Sequence, residues 1–298
     1  MSNVLSVDIG GSKVIVACVD EFGCIIKSEK QILPKHYDAK YLTDLIYKMT
    51  IPFLDFNPVA VGIAVPGLTD SKTGEWKYAP FSGIESLPIA KIISKHTGLP
   101  CFAENDVNIC AIGEKDYGVC KSENDFLWVT VSNGVGGAIF LNNELYTGKY
   151  GNAGEIGHFY VADKSYVCGC GKKGCLETFA SGQALRREYL RLTGENVGAG
   201  VIAERARNGE KIAVSVFKRA GMALGKSFSY AINLLNIDKI VIGGGVAQSL
   251  DLLMPFIKKA IKKYVFCQAN KNVVIERTGL GYYASIIGAA AFARRNIK

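Results

Sequence analysis

The apolar positions of this chain fall into short β-branched blocks separated by glycine or acidic turns. "VLSVDI" (4–9) and "KVIVACVD" (13–20) are rich in Val and Ile, and each closes on an acid. "GCIIKSEK" (23–30) follows after the turn Glu21-Phe22-Gly23, so three strands joined by tight turns are predicted at the start. "DAKYLTDLIYKMTIPFL" (38–54) changes to helical spacing, and "PVAVGIAVPG" (58–67) reads as a buried strand ending at Pro66-Gly67. "LPIAKIISKHTG" (87–98) predicts a helix stopped by Gly98. "PCFAEND" (100–106) is a short strand with acid at its tip, and "VNICAIGEKDYG" (107–118) is a helix.

The opening pattern then returns. "DFLWVTVSNGVGGAIFLNNELYTG" (125–148) again gives strand, glycine turn, strand, Asn-Asn turn and strand. Helices are expected around 201–236, a buried strand at "DKIVIGGG" (238–245), a helix over 249–264 and a strand at "NVVIERT" (272–278). "ASIIGAAAFARRNIK" (284–298) is an apolar helix with a basic end. An internal repeat of about 120 residues predicts a duplicated α/β chain with two lobes and a cleft between them. The expected N-terminal lobe is 1–116, completed by the helix 284–298, and the expected C-terminal lobe is 117–283.

Composition narrows the function. The 298 residues are 49% hydrophobic and 21% charged, enough to bury a core. The net charge is +8, but the basic residues are scattered, and the densest patch, "KKAIKK" (258–263), reads as the solvated face of a helix. No nucleic-acid partner is expected, and the basic balance suits an anionic cofactor such as a nucleotide. Asp8 interrupts the first apolar run, and no stretch reaches the roughly 18 to 20 apolar residues of a membrane span. Nine cysteines without a secretory segment predict reduced thiols and a cytoplasmic protein without a membrane partner.

Three glycine turns follow three apolar strands: "DIGGSK" (8–13), "VSNGVGGA" (131–138) and "IGGGVA" (242–247). Each reads singly either as a hairpin turn or as a loop whose backbone N–H groups face a phosphate. None has the spacing of a P-loop. Within a duplicated chain they resemble the phosphate loops of the sugar kinase, heat-shock chaperone and actin superfamily, with its ribonuclease H-like fold. That resemblance implies nucleotide contacts at Gly10, Gly11, Ser12 and Lys13, at Asn133, Gly134 and Gly136, and at Gly243, Gly244 and Gly245. It also implies Mg²⁺ held by Asp8, directly or through water.

His158 stands ten residues before Cys168, and Cys168, Cys170 and Cys175 fall within eight residues. One imidazole and three thiols are the ligand set of a closed, structural zinc site. "GNAGEIGH" (151–158) with "CGCGKKGCLETFASG" (168–182) resembles the signature of the ROK family of repressors, open reading frames and kinases. "DIGGSK", Pro66-Gly67, "ENDVN" (104–108) and "LNIDKIVIGGGVA" (235–247) resemble it too, so the likeness runs along the whole chain. It implies a glucokinase-like, ATP-dependent kinase acting on a hexose or N-acetyl hexosamine, with ATP, Mg²⁺ and structural Zn²⁺ as cofactors. It further implies Asp106 as general base, and Gly67, Asn105, Asp106, Glu155, His158 and Glu177 as the sugar site. The zinc-bound imidazole would offer its second nitrogen to a sugar hydroxyl. A homodimer or homotetramer is common in the family.

Glu104, Asn105 and Asp106 also read as caps of the following helix. Two departures from the family pattern stand out: Ser132-Asn133-Gly134 replaces a usual Gly-Thr-Gly, and Phe81-Ser82 replaces a sugar-reaching Asn-Leu pair. The alternatives are a kinase for N-acetylmannosamine, N-acetylglucosamine, fructose or allose, or a sugar-responsive regulator. With seven residues before Asp8 in this sequence, the regulator's DNA-binding role is not expected.

Overall fold

The computed structural model describes every residue except Met1, 80–82, 164–165 and Lys298, so the departure at Phe81 and Ser82 lies outside the described residues. Two compact units emerge. The first is Met1–Glu123 with Leu145–Ala153 and Thr278–Lys298; the second is Asn124–Glu144 with Gly154–Arg277.

The first unit opens with the expected strands β1 (Val4–Ile9), β2 (Lys13–Val19) and β3 (Ile25–Ile32). Helix α1 (Ala39–Thr50) starts where the Asp38 carboxylate accepts from the Tyr41 N–H at 2.7 Å. It stops earlier than its spacing predicts. Pro52 cannot donate into an α-helical ladder, and 51–56 tightens into a 3₁₀ segment. Strand β4 (Ala60–Val65) is followed by three short strands absent from the sequence reading: β5 (Leu68–Asp70), β6 (Glu75–Tyr78) and β7 (Glu85–Leu87). They form a separate antiparallel sheet in the order β5-β6-β7. Helix α2 (Ile89–Thr97) closes on left-handed Gly98, and strand β8 (Cys101–Asn105) leads directly into α3 (Asp106–Asp116). The main sheet has the order β3-β2-β1-β4-β8, antiparallel through β1 and parallel beyond it.

The second unit repeats the plan with β9 (Phe126–Val131) and β10 (Val135–Leu141), and β11 (Glu144–Tyr146) continues their sheet where the chain passes to the segment Leu145–Ala153. Four helices follow: α4 (Glu177–Ala180), α5 (Gly182–Thr193), α6 (Ala199–Arg207) and α7 (Lys211–Leu235). Strand β12 (Lys239–Gly243), helix α8 (Leu250–Tyr264) and strand β13 (Val274–Arg277) complete it. Its sheet order, β11-β10-β9-β12-β13, corresponds strand for strand to that of the first unit, and the repeat in the sequence is a repeat of topology. The core is built from Leu127, Val129, Ile240 and Ile242 of the sheet against Phe217, Leu224 and Phe228 of α7.

Helix α9 (Ala284–Asn296) belongs to the first unit. It packs so closely on β4 and α3 that a Cβ at Gly62 would overlap the Ala289 carbonyl, and one at Gly288 would overlap the Ile109 carbonyl. The buried Glu114 carboxylate ties the approach to α9 in place by accepting from the Thr278 hydroxyl and the Leu280 N–H, as well as from the Val119 N–H at 2.9 Å. Among the described residues no helix is long and apolar enough to cross a membrane.

Candidate functional site

In the first unit, Asp8 is the penultimate residue of β1, and the turn after it is closed by a Gly10 N–H to Lys13 carbonyl bond of 2.9 Å. Burial pushes the Asp8 carboxyl above its ordinary range, opposed by a hydrogen bond from Ser285 and by the charge of Lys13. Lys13 donates to the Tyr282 hydroxyl at 2.5 Å and lies 4.3 Å from the centre of that ring. Tyr282 and Ser285, from the entry to α9, therefore hold both ends of the first glycine turn. The sequence reading missed both, because about 270 residues separate them from the turn and neither carries a local signal.

Asp106 is half-buried in the first turn of α3. Burial, and then the charge of Asp8, lift its carboxyl to about 7. Asn105 is the N-cap of α3: its Oδ1 accepts from the Val107 and Asn108 N–H groups at 2.9 and 3.1 Å. Its amide donates to the Gly67 carbonyl at 2.9 Å and to Asp106 Oδ1 at 3.2 Å. The capping reading of this segment holds for Asn105, which also fixes the left-handed turn at Gly67 beside the Asp106 carboxylate. Glu104, buried behind them, accepts from the Asn105 N–H at 2.6 Å and from the Asn108 amide at 3.2 Å. It was assigned only a cap; its place is underneath the loop.

In the second unit, the segment carrying Glu155 and His158 lies flush on β10. A Cβ at Gly154 would overlap the Gly137 carbonyl, and one at Gly157 the Val135 carbonyl, so the glycine spacing of "GEIGH" is set by that close approach. His158 Nε2 faces Glu155 Oε2 at 3.8 Å, while Nδ1 lies 3.6 Å from the Cys168 sulfur. The sulfurs of Cys170 and Cys175 are also 3.6 Å apart, and the four ligand atoms all lie within 4.8 Å of one another. Zn–S and Zn–N bonds of about 2.3 and 2.0 Å in a tetrahedron give S···S and S···N edges of roughly 3.8 and 3.5 Å. The cluster could hold a metal ion of that size. Burial pushes the Cys168 thiol up to about 12, so the protein alone does not ionise it.

Glu177 links this cluster to the second glycine turn. Its Oε2 accepts from the Val135 N–H at 3.1 Å, and Cys168 Sγ stands 3.7 Å from its Oε1. The turn Ser132-Asn133-Gly134 is closed by Ser132 N–H to the Gly134 carbonyl at 2.9 Å, and Gly182 N–H donates to the Ser132 carbonyl at 2.7 Å. Asn133 is the middle residue of this turn, and Gly136 follows it as the second residue of β10. At the third turn, Gly244 takes a left-handed φ of 87° against the Val131 carbonyl. A pocket of about 150 Å³ opens beside Gly245, walled by Leu185, Ala203, Phe217 and Val246 with Arg207 among its polar lining. Arg207 is held there by both oxygens of Asp251, each at 2.9 Å.

An α/β chain with two topologically equivalent mixed sheets, glycine turns after the first strand of each, and a His/Cys₃ cluster beside one of them defines a narrow class. The profile of the ROK family matches residues 4–296, and the chain belongs to that family. It is 30% identical over 313 residues to a glucokinase of Streptomyces coelicolor, covering 99% of this chain and 98% of that protein. It is 31% identical over 246 residues to the DNA-binding transcriptional dual regulator NagC of Escherichia coli, covering 80% of this chain and 60% of NagC. Among solved structures it is similar to a ROK family glucokinase from Streptomyces griseus in complex with glucose and AMPPNP. That likeness has a TM-score of 0.86 and 29% identity, over 99% of this chain and 100% of the other.

Proposed function

We infer that the protein is an ATP-dependent hexose kinase. The observation that carries the reading is Asp106: a half-buried carboxylate at a helix start, raised to about 7, has the proton affinity a general base needs near neutral pH. In this reading Asp106 accepts the proton of the sugar hydroxyl as that oxygen bonds to the γ-phosphorus and the bond to ADP breaks. Phosphoryl transfer needs positioning above all, and the capped loop of Asn105 and Gly67 fixes the carboxylate. Asn105 would turn its longer, 3.2 Å donor from Asp106 to a sugar hydroxyl.

Glu155, His158 and Glu177 are the proposed sugar ligands of the second unit. Zinc on His158, Cys168, Cys170 and Cys175 would fix the imidazole through Nδ1 and leave Nε2 for a hydroxyl. Asp8 would hold Mg²⁺, which neutralises charge on the transferred phosphoryl group when bound. Gly10, Gly11, Ser12 and Lys13 with Asn133, Gly134 and Gly136 are the proposed phosphate contacts. Gly243, Gly244 and Gly245, the last of which lines the pocket, would take the nucleoside. The chain's likeness to glucokinases over nearly its full length supports the kinase reading.

Coupled ADP-release assays across glucose, mannose, fructose, allose, N-acetylglucosamine and N-acetylmannosamine test it. Turnover of one or more of these is expected. The likeness to NagC supports a second reading, a sugar-responsive regulator. Saturable sugar binding with no turnover of any of the six, with ATP and Mg²⁺ present, would decide for it.

A further inference from the structure

Helix α5 and its neighbours carry a group of charges that the kinase reading does not use. Arg187 and Arg191 stand four residues apart on α5, and Arg219 comes from α7. Like charges at that helical spacing repel, so they need a counter-charge. Glu188 supplies one, and it is committed: Arg191 takes both of its oxygens, at 2.8 and 3.2 Å, and this pair holds the Glu188 carboxyl below its usual range.

The other two guanidiniums are left with open donors. Arg187 lies 3.7 Å from the centre of the Tyr166 ring, reaches the Thr178 carbonyl only at 3.4 Å, and has a buried Nε–H with no acceptor among the described residues. Arg219 lies 4.1 Å from the centre of the Phe179 ring and makes no hydrogen bond among the described residues. Burial pushes its pKa down; Glu188 and Tyr166 oppose that, and the charges of Arg187 and Arg191 add to it. An arginine with an aromatic face on one side and free N–H groups on the other is arranged for planar recognition of an oxyanion. A buried donor without a partner costs about 1 to 3 kcal/mol, so a ligand that fills it gains what the empty site has lost.

We propose that Arg187, Arg191 and Arg219 form a binding site for a phosphate-type oxyanion, either inorganic phosphate or the phosphate of a monoester. The anion would accept from Arg187 Nε and from the Arg219 guanidinium, whose two charges balance its own, while Arg191 stays on Glu188 at the edge of the site. Tyr166, Thr178 and Phe179 flank the cysteine segment, so an occupied site also stiffens that segment. The proposal does not depend on catalysis.

The test is ¹H–¹⁵N spectroscopy of arginine Nε–H groups in the full chain, titrated with inorganic phosphate in one arm and with glucose 6-phosphate in another. Sodium chloride of matched ionic strength is the control. The Arg187 and Arg219 signals are expected to shift saturably with phosphate. The dissociation constant should rise at least about tenfold in Arg219→Gln, the loss of one charge-assisted hydrogen bond. Arg219→Lys, which keeps the charge but not the fork, should lie between the two. Tighter binding in the ester arm would identify the monoester as the source. Shifts that do not saturate, that sodium chloride reproduces, or that survive unchanged in Arg219→Gln would overturn the site. Shifts produced by a tetraglutamate peptide and not by phosphate would overturn it in favour of an acidic protein partner.

Discussion

The charge of Asp8 bears on Asp106: together with burial, which is the larger cause, it lifts the Asp106 carboxyl from 3.8 to about 7. Both residues end parallel strands or start the helix beyond them, and α9 reaches the same place through Ser285. In Asp8→Asn the Asp106 carboxyl should titrate lower than in the wild type, read from the side-chain ¹³C signal of Asp106 without metal. An unchanged midpoint would show that burial alone sets it.

The same shift gives a pH dependence of stability. A carboxyl whose pKa is raised on folding favours the folded state fully below its unfolded value and loses that contribution as pH rises through the folded one. For the protein without nucleotide, this group's contribution should fall between about pH 4 and 7. Asp106→Asn should flatten that part of the melting-temperature profile.

Turnover tests the same residue separately. Asp106→Asn keeps size and hydrogen-bonding reach but removes the proton acceptor, so kcat should drop by about 10² to 10⁴ with sugar affinity little changed. Near wild-type turnover with a lowered melting temperature would reduce Asp106 to a member of the α3 start.

The cysteine segment predicts its own chemistry. Elemental analysis should find about one zinc per chain, the stoichiometry of a single closed four-ligand site. Cys170→Ser should release it and weaken sugar binding in the same preparation. Cys24→Ser, at an exposed cysteine remote in sequence from the cluster, should change neither.

Helix α9 can be tested by packing alone. Gly288→Ala places a methyl group into the Ile109 carbonyl, and backbone cannot rotate away as a side chain can. Overpacking of this kind costs about 1 to 3 kcal/mol, so denaturant unfolding should show a loss in that range or above it.

The strands at the head of each unit were readable because Val and Ile concentrate there and Gly or Asn marks each turn. Helix α5 was not legible: "GQALRREYLRLT" has three arginines, and its buried face sets Glu188 beside Ala184, Leu185 and Tyr189. Strands β5 to β7 have three or four residues each, too few to establish a period of two. The His/Cys₃ grouping was visible because its members are close in sequence. Ser285 and Tyr282 were invisible for the opposite reason, and Asn105 showed its cap but not its amide bond to the Gly67 carbonyl 38 residues away.

Glu114 and α9 have a consequence for the order of events on the ribosome. Chains generally fold from the N-terminus as they emerge. Here the face of β1 and β4 that α9 covers stays bare, and Glu114 lacks Thr278 and Leu280, until residues 278–296 have left the exit tunnel. By then every strand of the second unit has already been made. Of the two units, the one whose strands are made first is completed last, and a ribosome stalled before residue 284 leaves the apolar face of Val4, Ile15, Val19 and Ala60 without its covering helix.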